Sequence, residues 1–75
     1  MILLIDIGNT HTHIGVGDKN SVFAHGEIST HDATVAEQTD ALRKLCDGKP
    51  TAAVVSSVVP EKTSSMQVAL SLIHI

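Results

Sequence analysis

Hydrophobic positions along the first half of the chain predict three strands joined by short turns. An uninterrupted apolar run, Met1–Ile5, is followed at once by a polar segment that contains glycine. This pattern predicts a fully buried strand that ends in a loop. Apolar and polar positions then alternate over Thr12–Val16 and over Ser21–Ile28, at the two-residue period of a strand. Because turn-forming residues separate the segments, we expect an antiparallel meander.

A helix is predicted next. Thr34 and Glu37 have the spacing of a capping box, which marks the start of a helix. From Thr34 to Cys46 the apolar side chains recur on one face, and the charged side chains lie on the other. Gly48 and Pro50 are predicted to end the helix.

The last part of the chain predicts a fourth strand and a second helix. Thr51–Val59 is almost continuously apolar, as in a parallel strand buried on both faces. Pro60 suits the first position of a helix, and apolar residues keep helical spacing up to Ile73. The order is therefore βββαβα. A right-handed crossover places the fourth strand beside the first, which gives the mixed sheet of half a ribonuclease-H-like α/β domain.

Composition limits the functional classes. A chain of 75 residues with 43% hydrophobic and 17% charged residues is one small globular domain. Its net charge of −3 provides no basic surface, which argues against a nucleic-acid partner. We expect a soluble, cytoplasmic protein, because no apolar run reaches the ~20 residues of a membrane span and no signal peptide is recognisable. The single cysteine, Cys46, fits a reducing compartment.

The segment after the first strand carries the candidate chemistry. Asp6 is expected where that strand leaves the core, and Gly8 would let a phosphate approach the backbone closely. Asn9 and Thr10 add side-chain donors beside the backbone N–H groups of the turn. Because the loop contains no lysine or arginine, a bound nucleotide would need a metal ion, and Asp6 is the natural carboxylate for Mg²⁺.

Four other polar residues are weaker candidates for a chemical role. His11 and His13 share one face of a strand, but two histidines make a weak metal site. A contact of either histidine with phosphate is the better prediction. The carboxyl ends of the first and fourth strands are expected to line one crevice, which makes the motif loop and the Ser56–Pro60 turn neighbours. Ser56 and Ser57 have no general base placed with them, so a structural role or a role in lining this crevice is favoured over a role as nucleophile.

Segments along most of the chain resemble type III pantothenate kinases, members of the acetate-kinase, sugar-kinase, heat-shock and actin superfamily. The matching segments are Leu3–Thr10, Gly15, Ile28–Thr30, Thr34–Glu37 and Ser56–Pro60. The pattern Asp-x-Gly-x-Thr is shared across the superfamily. Asn9 within it, together with Ser-Ser-Val-Val-Pro about fifty residues later, makes the resemblance specific. It covers the chain from residue 1 to about residue 63.

The resemblance implies phosphorylation of pantothenate by ATP, the first committed step toward coenzyme A. It also implies Mg²⁺, a monovalent cation (K⁺ or NH₄⁺), an actin-like ATPase fold and a cytoplasmic homodimer. Carried over by position, the ATP phosphate-binding loop would be Asp6, Ile7, Gly8, Asn9, Thr10, His11, Thr12 and His13. Within this loop Asp6 would orient the metal and the phosphates.

The chain departs from the family in lacking the second acidic motif, G-x-D-R, which supplies the pantothenate pocket and the general base. Residues 1–75 are therefore expected to be an incomplete N-terminal phosphate-binding subdomain with no catalytic residue and no kinase activity of its own. Ser71–Ile75 matches no family pattern. Two alternatives remain: a non-catalytic relative that acts as an accessory transcriptional regulator, and a small α/β interaction module in which Asp6–Thr10 is only a turn.

Overall fold

The computed structural model describes residues 1–46 and 50–73, and its elements follow the predicted order βββαβα. The elements are β1 (Ile2–Ile7), β2 (His11–Gly17), β3 (Val22–Ser29), α1 (Val35–Leu45), β4 (Ala52–Ser57) and α2 (Pro60–Leu72). The predicted helix stop at Gly48 lies outside the described residues, as do residues 74 and 75 of the C-terminal segment.

The four strands form one mixed sheet in the order β3-β2-β1-β4. β2 is antiparallel to both β1 and β3, whereas β4 is parallel to β1. This confirms the predicted meander and the predicted position of the fourth strand beside the first. Because β1 and β4 run in the same direction, their carboxyl ends lie at the same edge of the sheet.

Both helices pack on one face of the sheet and against each other. Alternate residues of β1 and β2 point toward them and are almost fully buried. The core of the described residues consists of Leu3, Ile5, Ile7, Ile14, Val16, Leu42, Cys46, Val59, Met66, Ala69 and Leu70. In this part of the chain, neither helix combines the length and the apolar character needed to cross a membrane.

The opposite face of the sheet is open, and this corrects two predictions. β1 and β4 were both expected to be buried on both faces. Instead their side chains alternate between buried or half-buried and exposed, and Leu4 and Val54 are 43% and 58% exposed. A continuous apolar run predicts burial on both faces only if something covers both faces. Here the two helices cover only one.

The start of α1 confirms the capping box. The Thr34 hydroxyl accepts a hydrogen bond from the Glu37 backbone N–H, and the Glu37 carboxylate accepts one from the Thr34 N–H. Thr34 and Cys46 are therefore the caps of the helix rather than its first and last residues. The buried face of α1 also includes Gln38 and Thr39, which the apolar pattern did not identify.

Candidate functional site

Asp6 lies at the carboxyl end of β1, on the open face of the sheet, and its side chain is exposed. In the strand register it is opposite His13 of β2 on one side and Ser56 of β4 on the other. Glu27 of β3 is opposite His13 in turn. The open face therefore carries a row of polar side chains across all four strands at this edge: Glu27, His13, Asp6 and Ser56.

A tight hairpin turn follows β1. The Gly8 N–H donates a hydrogen bond to the His11 carbonyl oxygen at 3.0 Å, which closes the turn around Asn9 and Thr10. A Cβ atom on residue 8 would lie 3.1 Å from that same carbonyl oxygen. Because the neighbour is backbone rather than a flexible side chain, glycine is the residue that fits this turn. Asn9 and Thr10 are exposed and available to a ligand.

The hairpin turn is held in place from both sides of the sheet edge. The Thr30 N–H, just beyond β3, donates to the Thr10 carbonyl oxygen at 3.0 Å. The Val58 N–H, just beyond β4, donates to the Ile7 carbonyl oxygen at 3.1 Å. The predicted proximity of the motif loop to the Ser56–Pro60 turn is therefore present in the fold. α2 begins directly after this turn, with Pro60 as its first residue.

Apart from the half-buried Gly8, the residues of the predicted phosphate loop divide into two groups. Those with exposed side chains are Asp6, Asn9, Thr10, His11 and His13. Ile7 and Thr12, in contrast, are each 1% exposed and point into the helix-covered side. These two residues can therefore offer a ligand only backbone atoms.

His11 and His13 lie on the open face with Glu27 between them. The His11 Nε2 and Glu27 Oε1 atoms are 3.8 Å apart, and the His13 Nδ1 and Glu27 Oε2 atoms are 3.5 Å apart. All three side chains are about half exposed or more. Across residues 1–46 and 50–73, no group of three histidine, cysteine, aspartate or glutamate residues is arranged to hold a metal ion. The preference for a phosphate contact of His11 or His13 over a two-histidine metal site stays a prediction.

The chemistry of Asp6 suits one kind of metal ion. Mg²⁺ usually keeps several water molecules and takes only one or two carboxylates together with phosphate oxygens. A single exposed carboxylate beside the Gly8–Thr10 turn is such a partial donor set. Asp6 therefore fits Mg²⁺ that arrives with a nucleotide better than it fits a metal held by protein ligands alone.

The open face carries a shallow depression of about 380 Å³, which the sequence did not predict. Most of its lining residues are alternate positions of the four strands: Leu4, Asp6, His13, Gly15, His25, Val54 and Ser56. Ile5, Ile14 and Gly26 complete the lining. The apolar members lie away from the hairpin, and Asp6, His13 and Ser56 form the end nearest to it. The two-residue alternation of β2 and β3 indicated which of their residues face the open side. In β1 and β4 the same information was hidden, because both strands are apolar on both faces.

Comparison with known proteins agrees with the resemblance. Residues 2–74 match the family described as type III pantothenate kinase. A type III pantothenate kinase of Myxococcus xanthus (strain DK1622) is 34% identical to this chain over 74 residues. That match covers 89% of this chain but only 29% of the relative, so the chain spans less than a third of the relative's length.

The family match covers nearly the whole chain, and the fold has the element order and mixed sheet expected for half of an actin-like ATPase domain. On this evidence the chain belongs to the type III pantothenate kinase family.

Proposed function

We propose that this chain is the ATP phosphate-binding N-terminal part of an enzyme that phosphorylates pantothenate. One observation carries the proposal: β1 delivers the exposed Asp6 carboxylate to the sheet edge where the Gly8–Thr10 turn and the end of β4 meet. Open α/β sheets bind ligands at this kind of edge, beyond the carboxyl ends of their strands. Phosphoryl transfer depends mainly on positioning and on neutralising charge, so a carboxylate and a glycine turn at this edge support the proposal.

Within this proposal, each exposed residue of the loop has a distinct role. Asp6 holds Mg²⁺ through water, and the metal ion, when bound, neutralises phosphate charge that the loop itself cannot neutralise. Gly8 allows the phosphates to reach the backbone, and Asn9 and Thr10 donate hydrogen bonds from their side chains. His11 and His13 face the same side of the sheet and offer further contacts to phosphate oxygens. No residue of this chain is assigned as the general base.

The complete enzyme would add what these 75 residues lack. The motif G-x-D-R does not occur in the sequence, so the pantothenate pocket and the general base would come from a longer protein. Dimerisation, a cytoplasmic location and the use of K⁺ or NH₄⁺ are proposed for that longer protein. We expect the 75-residue chain to bind Mg²⁺·ATP weakly and to produce no ADP in a coupled assay that contains pantothenate.

The test compares Asp6→Asn with Asp40→Asn by calorimetric titration with ATP, with and without Mg²⁺. Both substitutions remove one negative charge at an exposed position, but Asp40 lies on α1, which packs against the opposite face of the sheet. We expect Asp6→Asn to weaken Mg²⁺·ATP binding about tenfold or more, since charge-assisted contacts are roughly twice as strong as neutral ones. The Mg²⁺ dependence should be lost as well.

Asp40→Asn should leave both the affinity and its Mg²⁺ dependence unchanged. Equal affinity of Asp6→Asn and the unsubstituted chain would contradict the role of Asp6. If the unsubstituted chain failed to bind Mg²⁺·ATP at all, the interaction-module alternative would be favoured.

A further inference from the structure

Two threonine hydroxyls form a buried hydrogen bond directly behind the hairpin turn. The Oγ1 atoms of Thr12 and Thr30 are 2.9 Å apart, and both residues are 1% exposed. Thr12 belongs to β2 and points to the helix-covered side, whereas Thr30 follows the last residue of β3. The bond therefore joins two segments that are 18 residues apart in the chain.

Thr30 is bonded to the hairpin segment a second time. Its backbone N–H donates to the Thr10 carbonyl oxygen at 3.0 Å. Thr30 thus forms hydrogen bonds with the carbonyl group of Thr10 and with the side chain of Thr12, the two residues that flank His11. The His11 carbonyl oxygen in turn accepts the Gly8 N–H that closes the hairpin turn. Together with the covalent backbone of residues 10–12, these three hydrogen bonds connect Thr30 to Gly8.

Packing alone does not explain a pair of hydroxyl groups in this position. Valine has nearly the same shape as threonine and would occupy a buried site without a polar group to desolvate. One hydrogen bond between two buried hydroxyls adds little net stability, because each hydroxyl has lost its hydrogen bonds to water. A hydrogen bond, however, has a direction and a fixed length, which an apolar contact lacks. The pair is therefore better suited to fixing geometry than to adding stability.

We propose that Thr12 and Thr30 are positioning residues for the phosphate loop, and that their hydroxyl pair holds the Gly8–Thr10 turn in the conformation that receives an anion. The ligand in this inference rests on the proposed function, but the ordering of the turn does not. A turn that is already ordered loses less conformational entropy when it binds. Neither threonine hydroxyl needs to touch the ligand for this effect.

The first experiment measures the ordering of the turn without any ligand. Amide hydrogen exchange at Gly8, followed by NMR, is expressed relative to exchange at Leu42 in the core of α1, so that global unfolding is cancelled. Thr30→Val should raise this ratio about five- to tenfold, the equivalent of one lost hydrogen bond. Thr30→Ser keeps the hydroxyl group and should preserve the low ratio.

The double variant Thr12→Val/Thr30→Val separates positioning from stability. The single Thr30→Val variant leaves the Thr12 hydroxyl buried without its partner, which destabilises the fold. In the double variant no hydroxyl is left without a partner, so global stability should recover while Gly8 still exchanges rapidly. If stability and protection of Gly8 recovered together, the pair would be merely structural and the inference would be wrong. Rapid exchange in Thr30→Ser would also overturn it.

Thr39→Val provides the matched control. Thr39 is 3% exposed, and its Oγ1 donates to the Val35 carbonyl oxygen at 2.8 Å within α1. The substitution removes a buried threonine hydroxyl outside the hairpin network. It should lower stability without raising the exchange of Gly8 relative to Leu42.

The second experiment measures the affinity for Mg²⁺·ATP in the same variants. Thr30→Val and the double variant should bind about five- to tenfold more weakly, whereas Thr30→Ser and Thr39→Val should match the unsubstituted chain. Unchanged affinity in a double variant with a disordered turn would overturn the positioning role. If the unsubstituted chain did not bind nucleotide, the proposed function would fail, and the exchange measurements would still decide whether the hydroxyl pair orders the turn.

Discussion

The two faces of the sheet are made from the same strands but serve different purposes. On the covered face, Leu3, Ile5 and Ile7 of β1 are at most 3% exposed and pack with α1 and α2. On the open face, the intervening residues Leu4 and Asp6 are exposed, next to His13 and Val54. A single strand thus supplies stability through one set of alternate positions and candidate chemistry through the other.

This difference explains how a chain of 75 residues can place an exposed carboxylate so firmly. Asp6 has buried neighbours on both sides, Ile5 and Ile7. The backbone that carries Asp6 is therefore fixed by packing on the covered face, although its own side chain is in solvent. Positions on the open face should accordingly tolerate substitution, while positions on the covered face should not.

The largest expected contrast is between two neighbouring leucines. Leu3→Ala should lower the free energy of unfolding by about 3–5 kcal/mol, because Leu3 is fully buried and its truncation leaves a cavity. Leu4→Ala should cost less than about 1 kcal/mol, because Leu4 is 43% exposed. Urea denaturation of both variants measures the difference. Equal losses would mean that both faces of the sheet are packed in solution.

A second contrast uses two glycines of β2. A Cβ atom on Gly17 would clash with the Ser21 carbonyl oxygen, so Gly17→Ala should destabilise the fold by about 1–3 kcal/mol. Gly15 lies on the open face, and the nearest atom to its Cβ position is 3.7 Å away. Gly15→Ala should therefore be neutral or stabilising by up to about 1 kcal/mol. Thermal unfolding should show a lower midpoint for Gly17→Ala and an equal or higher midpoint for Gly15→Ala. A large loss of stability in Gly15→Ala would contradict the open space above that residue.

The smallest expected effect tests the open face directly. Val54→Thr should change the free energy of unfolding by less than about 0.5 kcal/mol, because Val54 is 58% exposed and the new hydroxyl can remain in water. Val16→Thr makes the same chemical change at a position that is 2% exposed, and should cost about 1–3 kcal/mol. Guanidinium denaturation of both variants measures the two changes in the free energy of unfolding. A loss in Val54→Thr as large as in Val16→Thr would show that a second layer covers β4.

Much of the fold could be predicted because its signals are local. The capping box at Thr34 and Glu37, the proline at residue 60 and the two-residue alternation of β2 and β3 each depend on neighbours in the chain. The position of β4 beside β1 followed from the handedness of crossovers rather than from any residue. The burial of β1 and β4 was predicted wrongly, because an apolar run does not reveal how many faces of a sheet will be covered.

The candidate site likewise contains some features that could be predicted from the sequence and others that could not. Asp6 and the Gly8–Thr10 turn could be identified from a short motif and from the strand that precedes it. The Thr12–Thr30 pair could not, because two ordinary threonines that are 18 residues apart carry no joint signal. The depression on the open face was likewise invisible, since its residues come from four strands whose register only the folded sheet defines.

The sequence by itself determined the element order, the starts of the helices and the family, because these depend on patterns within one segment or on a short motif that can be recognised directly. Only the tertiary structure decided which face of each strand is covered and that the hydroxyls of Thr12 and Thr30 form a hydrogen bond. It also decided that Asp6 lies between His13 and Ser56 at an open edge of the sheet. Those outcomes depend on the register between strands and on the face of the sheet against which the two helices pack. Both are fixed by contacts between distant parts of the chain.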